Sequence, residues 1–343
     1  MINPPSAKIP LSDKQRKHIA SIKAEDFFQF APEDACFACG CSEFKTLAEY
    51  DRYGFPLDYV SCVSCGFLFA NPYYTEGCLA EFYSKHYAQI YGRAGSEKLV
   101  FEGGYINAVE TILPLIRKYI PKTGAVMDFG CGYGGSLVAF PKEWIQVGYD
   151  YDDIQLEYGR QFGIDLRNIE KFDGSFEKFD VIMLIQVLEH VKDPIALLKK
   201  LQSRLNDNGV LYIEVPGFAS VIERGIDPRL AFKNAHRHFF CLDSLSKVGA
   251  QAGLQLLAGN ERVSAVFRKA SNEPSLKAGT LQKTMSAFEW LDRLDNVATS
   301  NYRNQEPLLC RLVSKLRRRS KLQKLRRMLA SRRVEVESVA KRS

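Results

Sequence analysis

Ala125-Val126-Met127-Asp128-Phe129-Gly130-Cys131-Gly132-Tyr133-Gly134-Gly135 is a short apolar run that ends in glycines. The run is strand-sized, and glycines placed directly after it allow a sharp turn into a helix and close approach of the backbone to a nucleotide ligand. Working outward, the same unit recurs. Residues 145–150 (IQVGYD), 179–184 (FDVIML) and 209–216 (GVLYIEVP) are further apolar runs. Helical segments separate them at 135–142, 153–162 and 194–205, the last with Ile195, Leu197, Leu198, Leu201 and Leu205 facing inward. Strand and helix in alternation predict an α/β fold, a doubly wound parallel sheet covered on both faces. The stretches 254–259 (LQLLAG) and 263–269 (VSAVFRK) predict a closing hairpin that puts an antiparallel strand at the sheet edge.

Two kinds of ligand suit the glycine turn. Gly130, Gly132 and Gly135 satisfy G-x-G-x-x-G, the dinucleotide fingerprint. The stretch also reads D-x-G-x-G-x-G, with Asp128 two places before the first glycine. A carboxylate there would face a cationic amino group, not a pyrophosphate. In either case Asp150, 20 residues after Gly130, ends the second strand, where it can accept both hydroxyls of a ribose.

Upstream, Cys36-Phe-Ala-Cys39-Gly40 and Cys62-Val-Ser-Cys65-Gly66 form two C-x-x-C-G knuckles with 22 residues between them. A two-residue interval lets both thiolates of a knuckle reach one ion, and the following glycine permits the tight turn. Four thiolates satisfy tetrahedral Zn²⁺ with no open position. The spacing predicts a closed structural zinc ribbon over 33–75 held by Cys36, Cys39, Cys62 and Cys65. A redox role competes less well, because neither knuckle begins a helix of a thioredoxin-like unit. Cys41 reads as a spectator, and Cys78, Cys131, Cys241 and Cys310 as small apolar residues.

The chain has 343 residues, 46% hydrophobic and 25% charged, which excludes a wholly disordered or fibrous protein and predicts two or three domains. No run approaches the roughly 20 apolar residues of a membrane span, and the first residues lack the apolar core of a signal peptide, so the expected compartment is the cytoplasm. The net charge of +7 is unevenly placed: Pro307–Ser343 holds 13 Lys or Arg against two Glu, a balance of +11 that leaves −4 for the rest. From Leu308 to Leu329, apolar residues recur at mostly helical spacing between the basic ones. That pattern predicts a basic amphipathic helix, suited to an anionic membrane surface, to nucleic acid, or to docking on its own domain.

At the glycine turn the sequence resembles the class I S-adenosylmethionine-dependent methyltransferases, whose sheet is Rossmann-like. Asp128-Phe-Gly130-Cys-Gly132-Tyr-Gly134 is similar to their first motif and Gly148-Tyr-Asp150 to their second. Phe179-Asp180-Val-Ile-Met-Leu-Ile-Gln186-Val-Leu-Glu189-His190-Val-Lys-Asp193-Pro194 is similar to their fourth-strand signature. Asn208–Pro216 and His236–Leu245 resemble later motifs, in the right order, so the likeness spans about 121–270. Joined to the two cysteine knuckles, it resembles the subgroup of sugar C-methyltransferases and surface-glycan or natural-product methyltransferases.

The resemblance implies S-adenosyl-L-methionine as cofactor. Gly130, Gly132 and Gly134 would surround its methionine part, with Asp128 near the amino group, Asp150 at the ribose and Gln186 beside the sulfonium arm. His190, His236 and His238 are candidate bases at the carboxyl ends of strands. Sugar C-methyltransferases tend to show Tyr-His-Glu-His where this chain has Ala235-His236-Arg237-His238, which favours oxygen or nitrogen over carbon as the methylated atom. Tyr83, Tyr87 and Tyr91 could form a lid over the acceptor or a helical packing face. The expected partners are a sugar, nucleotide-sugar or lipid-linked glycan acceptor, with the basic helix free to meet a membrane. An RNA methyltransferase gripping phosphates with ribbon and tail is the second reading, an NAD-dependent oxidoreductase the third, and a non-enzymatic scaffold the fourth. The expected layout is an arm at 1–32, the zinc ribbon at 33–75, a helical connector at 76–120, the cofactor-binding domain at 121–270 and the basic helical tail at 271–343.

Overall fold

A computed structural model of the chain describes residues 11–25, 27–91, 97–173, 177–223, 228–270, 286–297 and 321–329. The alternating apolar runs become one sheet of seven strands: β1 Ala125–Phe129, β2 Ile145–Asp150, β3 Asp165–Asn168, β4 Phe179–Ile185, β5 Leu205–Glu214, β6 Leu254–Gly259 and β7 Ser264–Lys269. Their spatial order is β6-β7-β5-β4-β1-β2-β3. The strands from β5 to β3 run parallel, and β7 pairs antiparallel with both β5 and β6, as the hairpin predicts. Val181 to Leu184 have no exposed surface because both faces of β4 are covered. A strand buried on both sides must be apolar at every position, which is why this run shows no alternation.

One face of the sheet is covered by the continuous helix Glu97–Ile116, with Phe101, Tyr105, Ala108, Ile112 and Ile116 in the core. Val109, on the same side, is only partly buried, as is Ile120 just beyond the helix end. The helix has 20 residues and its most apolar 18-residue window has a mean hydropathy of 1.3, so it is long and apolar enough to cross a bilayer. Sequence inspection by runs missed this because polar residues interrupt it. Here its apolar side is spread over β1 and its neighbours.

The tail meets the same helix. In 321–329, Leu325 is fully buried in that core, Lys321 donates to Glu110 at 2.7 Å and Arg326 to Glu102 at 3.3 Å. Full burial of a leucine contributes about 1.5–3 kcal/mol. The described end of the basic helix therefore docks on its own domain. The remainder of the amphipathic stretch, including Leu309, Leu312, Val313 and Leu316, and the rest of the expected tail domain apart from 286–297, lie outside the described residues.

The stretch expected as an N-terminal arm carries the helix Asp13–Ala24. Ser12 caps it, paired reciprocally with Gln15. Ile19 and Ile22 are buried beside Phe55, Phe82 and Ile90. Two buried side chains among the helix's described residues leave almost no periodic signal in the sequence.

The cysteine-rich segment forms a second sheet from Phe44–Tyr50, Pro56–Cys62 and Leu68–Ala70. Its fourth strand, His238–Phe239, comes from the far end of the chain and pairs His238 with Phe69 and Phe239 with Leu68. Arg237 adds an ion pair with Glu33 and a stacking contact over the Tyr73 ring at 5.1 Å. Ribbon and large domain are thus sewn together through one short strand, next to the histidines singled out by the sequence.

Candidate active site

The glycine turn follows β1 and lies beneath the end of β2. Gly130 sits at φ +81°, and a Cβ there would come within 2.4 Å of Val187 Cγ2. Both the left-handed backbone and the close approach demand glycine. At Gly135 a Cβ would come within 2.1 Å of the Phe101 carbonyl oxygen, so the turn presses directly on the long helix. Between turn and helix lies a cavity of about 160 Å³ bounded by Gly130, Gly132, Asp128, Ser136, Asn107 and Gln155 among others. Gly134 closes the turn, its N–H donating to the Cys131 carbonyl at 2.9 Å, and does not line the cavity.

Asp128 is 1% exposed. Ser136 Oγ donates to its Oδ2 at 2.6 Å, while Oδ1 has no partner. Burial pushes this carboxyl up to about 7, with the charges of Asp150 and Glu214 adding to the rise. An orphaned, buried carboxylate oxygen at a cavity wall suits a cationic amino group, which would restore its charge. It would repel a pyrophosphate. Asp150 accepts the Gly132 N–H at 2.7 Å and the Asp152 N–H at 3.1 Å, one on each oxygen, leaving further lone pairs for hydroxyls. The orphaned oxygen, the glycine-lined wall and the second carboxylate fit S-adenosylmethionine as the sequence motif implied.

Gln186 occupies the left-handed region at φ +56° just past β4, its N–H held by the Glu214 carbonyl at 2.7 Å. Its side chain is exposed, and the neighbouring Ile185 lines the cavity instead. Sequence reading missed Ser136, Asn107 and Glu214. Asn107 Nδ2 reaches Glu214 at 3.2 Å, which fixes the long helix against the end of β5. The readable signal was Gly104, a glycine inside a helix: a Cβ there would come within 3.2 Å of the Ser136 nitrogen.

Beyond Gln186 the chain turns through Leu188–His190, and a second group assembles. His190 Nδ1 lies 2.6 Å from the Ala235 carbonyl, so this nitrogen donates, and the Tyr83 hydroxyl is 2.9 Å away. The His236 ring stands edge-on to it at 5.0 Å, and the Glu189 carboxylate lies 3.6 Å from His190 Nε2. Glu189 is 1% exposed and neither of its oxygens has a hydrogen-bond partner. Burial pushes its carboxyl up to about 8 and pulls His190 down to about 4, with His236 also well below its ordinary value. All three are therefore neutral at neutral pH. Tyr83, Tyr87 and Tyr91 stack at successive centroid distances of 5.0 Å along a helix whose Phe82–Tyr87 section is a π-helix. A wider π turn brings residues four apart nearly into register, so the tyrosines form one stripe.

His238 is not brought to this group. Its ring packs on Phe37 at 4.7 Å and Phe67 at 5.8 Å, and Nε2–H donates to the Val191 carbonyl at 2.9 Å. Burial holds it down to about 3. As a candidate base it is corrected: the residue bridges ribbon and large domain. A spacing of two cannot tell which histidine a short strand will turn inward.

In the ribbon, Cys36, Cys39, Cys62 and Cys65 bring their sulfurs within 4.8 Å of one another. Cys36 and Cys65 are 3.7 Å apart and Cys39 and Cys62 3.4 Å. Four sulfurs at about 2.3 Å from a tetrahedral ion lie roughly 3.8 Å apart, so the set fits Zn²⁺. Gly40 and Gly66, at φ +77° and +72°, donate their N–H groups to the Cys36 and Cys62 carbonyls and close both knuckles. Cys41 stands apart beside Glu43, Cys78, Cys131 and Cys241 are buried, and Cys310 lies outside the described residues.

Residues 103–258 match the family model described as a methyltransferase domain. An uncharacterised methyltransferase of Schizosaccharomyces pombe is 28% identical over 137 residues, 35% of this chain and 49% of that protein. A ubiquinone biosynthesis O-methyltransferase of Actinobacillus pleuropneumoniae is 31% identical over 129 residues, 32% of this chain and 55% of that protein. The chain thus spans about half the length of these curated relatives. Among solved structures, an S-adenosylmethionine-dependent methyltransferase from Clostridium acetobutylicum aligns over 56% of this chain and 99% of its own, at 10% identity and a TM-score of 0.40.

Proposed function

We propose that the chain, whose residues 103–258 match the methyltransferase-domain family model, transfers a methyl group from S-adenosylmethionine to an oxygen or nitrogen of a sugar or a related small or lipid-linked acceptor. Surface-glycan or natural-product biosynthesis is the setting this suggests. One observation carries the reading: Tyr83, His190 and His236 gather directly beyond the strand end that bounds the cofactor cradle. An acceptor hydroxyl held there has neutral imidazoles to receive its hydrogen bond.

S-adenosylmethionine, when bound, supplies a methyl carbon already activated by a positive sulfur, so alignment is the main task left to the protein, worth up to roughly 7–11 kcal/mol in the best cases. Asp128 would hold the amino group, the backbone at Gly130 and Gly132 the methionine part, and Asp150 the ribose. His190 keeps Nδ1 tied to Ala235, which leaves Nε2 to accept. His236 or His190 would take up the proton as the acceptor oxygen loses it. Glu189, protonated at neutral pH, adds no charge that would hold the proton back. The relative named as a biosynthetic O-methyltransferase supports an oxygen acceptor.

The four ribbon thiolates would hold a structural Zn²⁺, with no role in the transfer step. Support for that comes from their mutual distances and from the strand shared with His238 and Phe239.

Incubation with methyl-labelled cofactor against nucleotide sugars, glycolipids and total RNA tests the proposal. Label is expected in a sugar-containing product. Calorimetry that finds NAD bound and S-adenosylmethionine ignored overturns it, and label in RNA alone moves the assignment to the second reading.

A further inference from the structure

Two cations stand beside the histidine group, and neither makes an ion pair among the described residues. Arg52 lies in the turn between the first two ribbon strands, and its backbone N–H donates to the Phe232 carbonyl at 2.9 Å, which sets it against Lys233. Its guanidinium lies over the rings of Tyr53 at 4.7 Å and Tyr91 at 5.5 Å, with Nη2 donating to the Tyr53 hydroxyl at 2.6 Å. Nε is buried and has no hydrogen-bond partner. Among the described residues no carboxylate lies within ion-pair distance of Arg52 or Lys233.

The two nearby acids make no ion pair with them. Asp51 is fully buried and already committed: Oδ1 accepts the Tyr53 and Phe55 N–H groups and Oδ2 the Asn234 N–H. Glu189 keeps its proton at neutral pH. Lys233 is brought down to about 8 by burial and by the charge of Arg52, and both cations also depress His236. Two half-buried cations, each raising the cost of the other, are retained in a fold when an anion joins them. A planar guanidinium fixed over aromatic rings offers an oxyanion two parallel N–H groups, and a lysine adds a mobile point charge.

We propose that Arg52 and Lys233 form an oxyanion clamp for the acceptor, so that the substrate is an anionic sugar or sugar derivative, carrying a carboxylate or a phosphate, and the ribbon supplies half of its binding site. This deepens the methyl-acceptor reading and rests on it for the identity of the site. It explains why the ribbon shares a sheet with the strand after His236: the hairpin turn that bears Arg52 must be held in fixed register with Lys233.

Binding to the full-length, zinc-loaded chain tests it, read without cofactor by saturation-transfer NMR and by quenching of tyrosine and tryptophan fluorescence. The probes are glucose, glucuronate and glucose 1-phosphate. At least one anionic probe is expected to bind ten-fold or more tightly than glucose; which one does so distinguishes a carboxylate from a phosphate. Arg52→Gln and Lys233→Gln are each expected to abolish most of that preference while leaving S-adenosylmethionine affinity unchanged. Equal or undetectable binding of both anions relative to glucose overturns the clamp, as does preference retained in the double variant. Separate calorimetry with S-adenosylmethionine reports on the methyltransferase reading, so loss of either result identifies which inference has failed.

Discussion

The backbone N–H of Ala70 donates to the carbonyl of Arg237 across 2.8 Å, so a ribbon strand and the segment bearing the site histidines share a hydrogen-bonded edge. Disturbing the ribbon must then disturb His236. Four crowded thiols without an ion lack the cross-link that ties the two knuckles together. Purified protein should contain one zinc per chain by elemental analysis. Cys36→Ser or Cys65→Ser should remove it and lower Tm by roughly 5–10 °C, the shift for a loss of a few kcal/mol at this size. Metal-free wild type with an unchanged Tm would remove the zinc assignment.

Asp128 gives cofactor binding a pH dependence of defined sign. Its folded pKa, about 7, is raised from 3.8, so the ligand-free folded state binds the extra proton. That contribution to stability is fully present below 3.8 and is lost as pH rises through about 7. A bound cationic amino group prefers the ionised carboxylate, so affinity for S-adenosylmethionine should rise several-fold between pH 6 and 8. Calorimetric titration across this range reads it, and Asp128→Asn should bind weakly at every pH. A flat wild-type profile would mean that the carboxyl does not face the ligand.

The glycine turn tolerates no side chain where it meets the long helix. Gly135→Ala places a methyl against the Phe101 carbonyl, a backbone atom that cannot swing away. The helix must shift or the turn must open, and either distorts the cavity. Cofactor affinity should fall ten-fold or more with a visible drop in Tm. Gly103→Ala, with open space around its Cβ, is the control and should gain up to about 1 kcal/mol from helix propensity.

Much of this was legible in the chain because the features concerned are local. A glycine run after a strand and cysteines two residues apart need only their own neighbours to make sense, and the parallel sheet with its antiparallel edge followed from alternation and the closing hairpin. What sequence reading lost depends on distant packing. In the Asp13–Ala24 helix, Ile19 and Ile22 are the buried apolar side chains among the described residues, too few for a periodic signal. Arg52 and Lys233 are 181 residues apart and meet only because Arg52 bonds to Phe232. His236 and His238 look equivalent as a pair, yet pairing with Phe69 commits only the second to the ribbon.

That difference can be measured. His236 touches the His190 ring at the proposed acceptor position, whereas His238 is enclosed by Phe37, Phe67 and Phe240. His236→Asn should cut turnover at least ten-fold with cofactor affinity and Tm nearly unchanged, and Tyr83→Phe should show a smaller fall of the same kind. His238→Asn should do the reverse. It deprives the Val191 carbonyl of its donor and unpacks three aromatic rings, a cost of about 1–3 kcal/mol that appears as a lower Tm. Turnover per folded molecule should stay close to wild type, once corrected by active-site titration with labelled cofactor. Equal losses of turnover in the two histidine variants, at equal Tm, would return His238 to the catalytic group and undo the division of labour drawn from its burial.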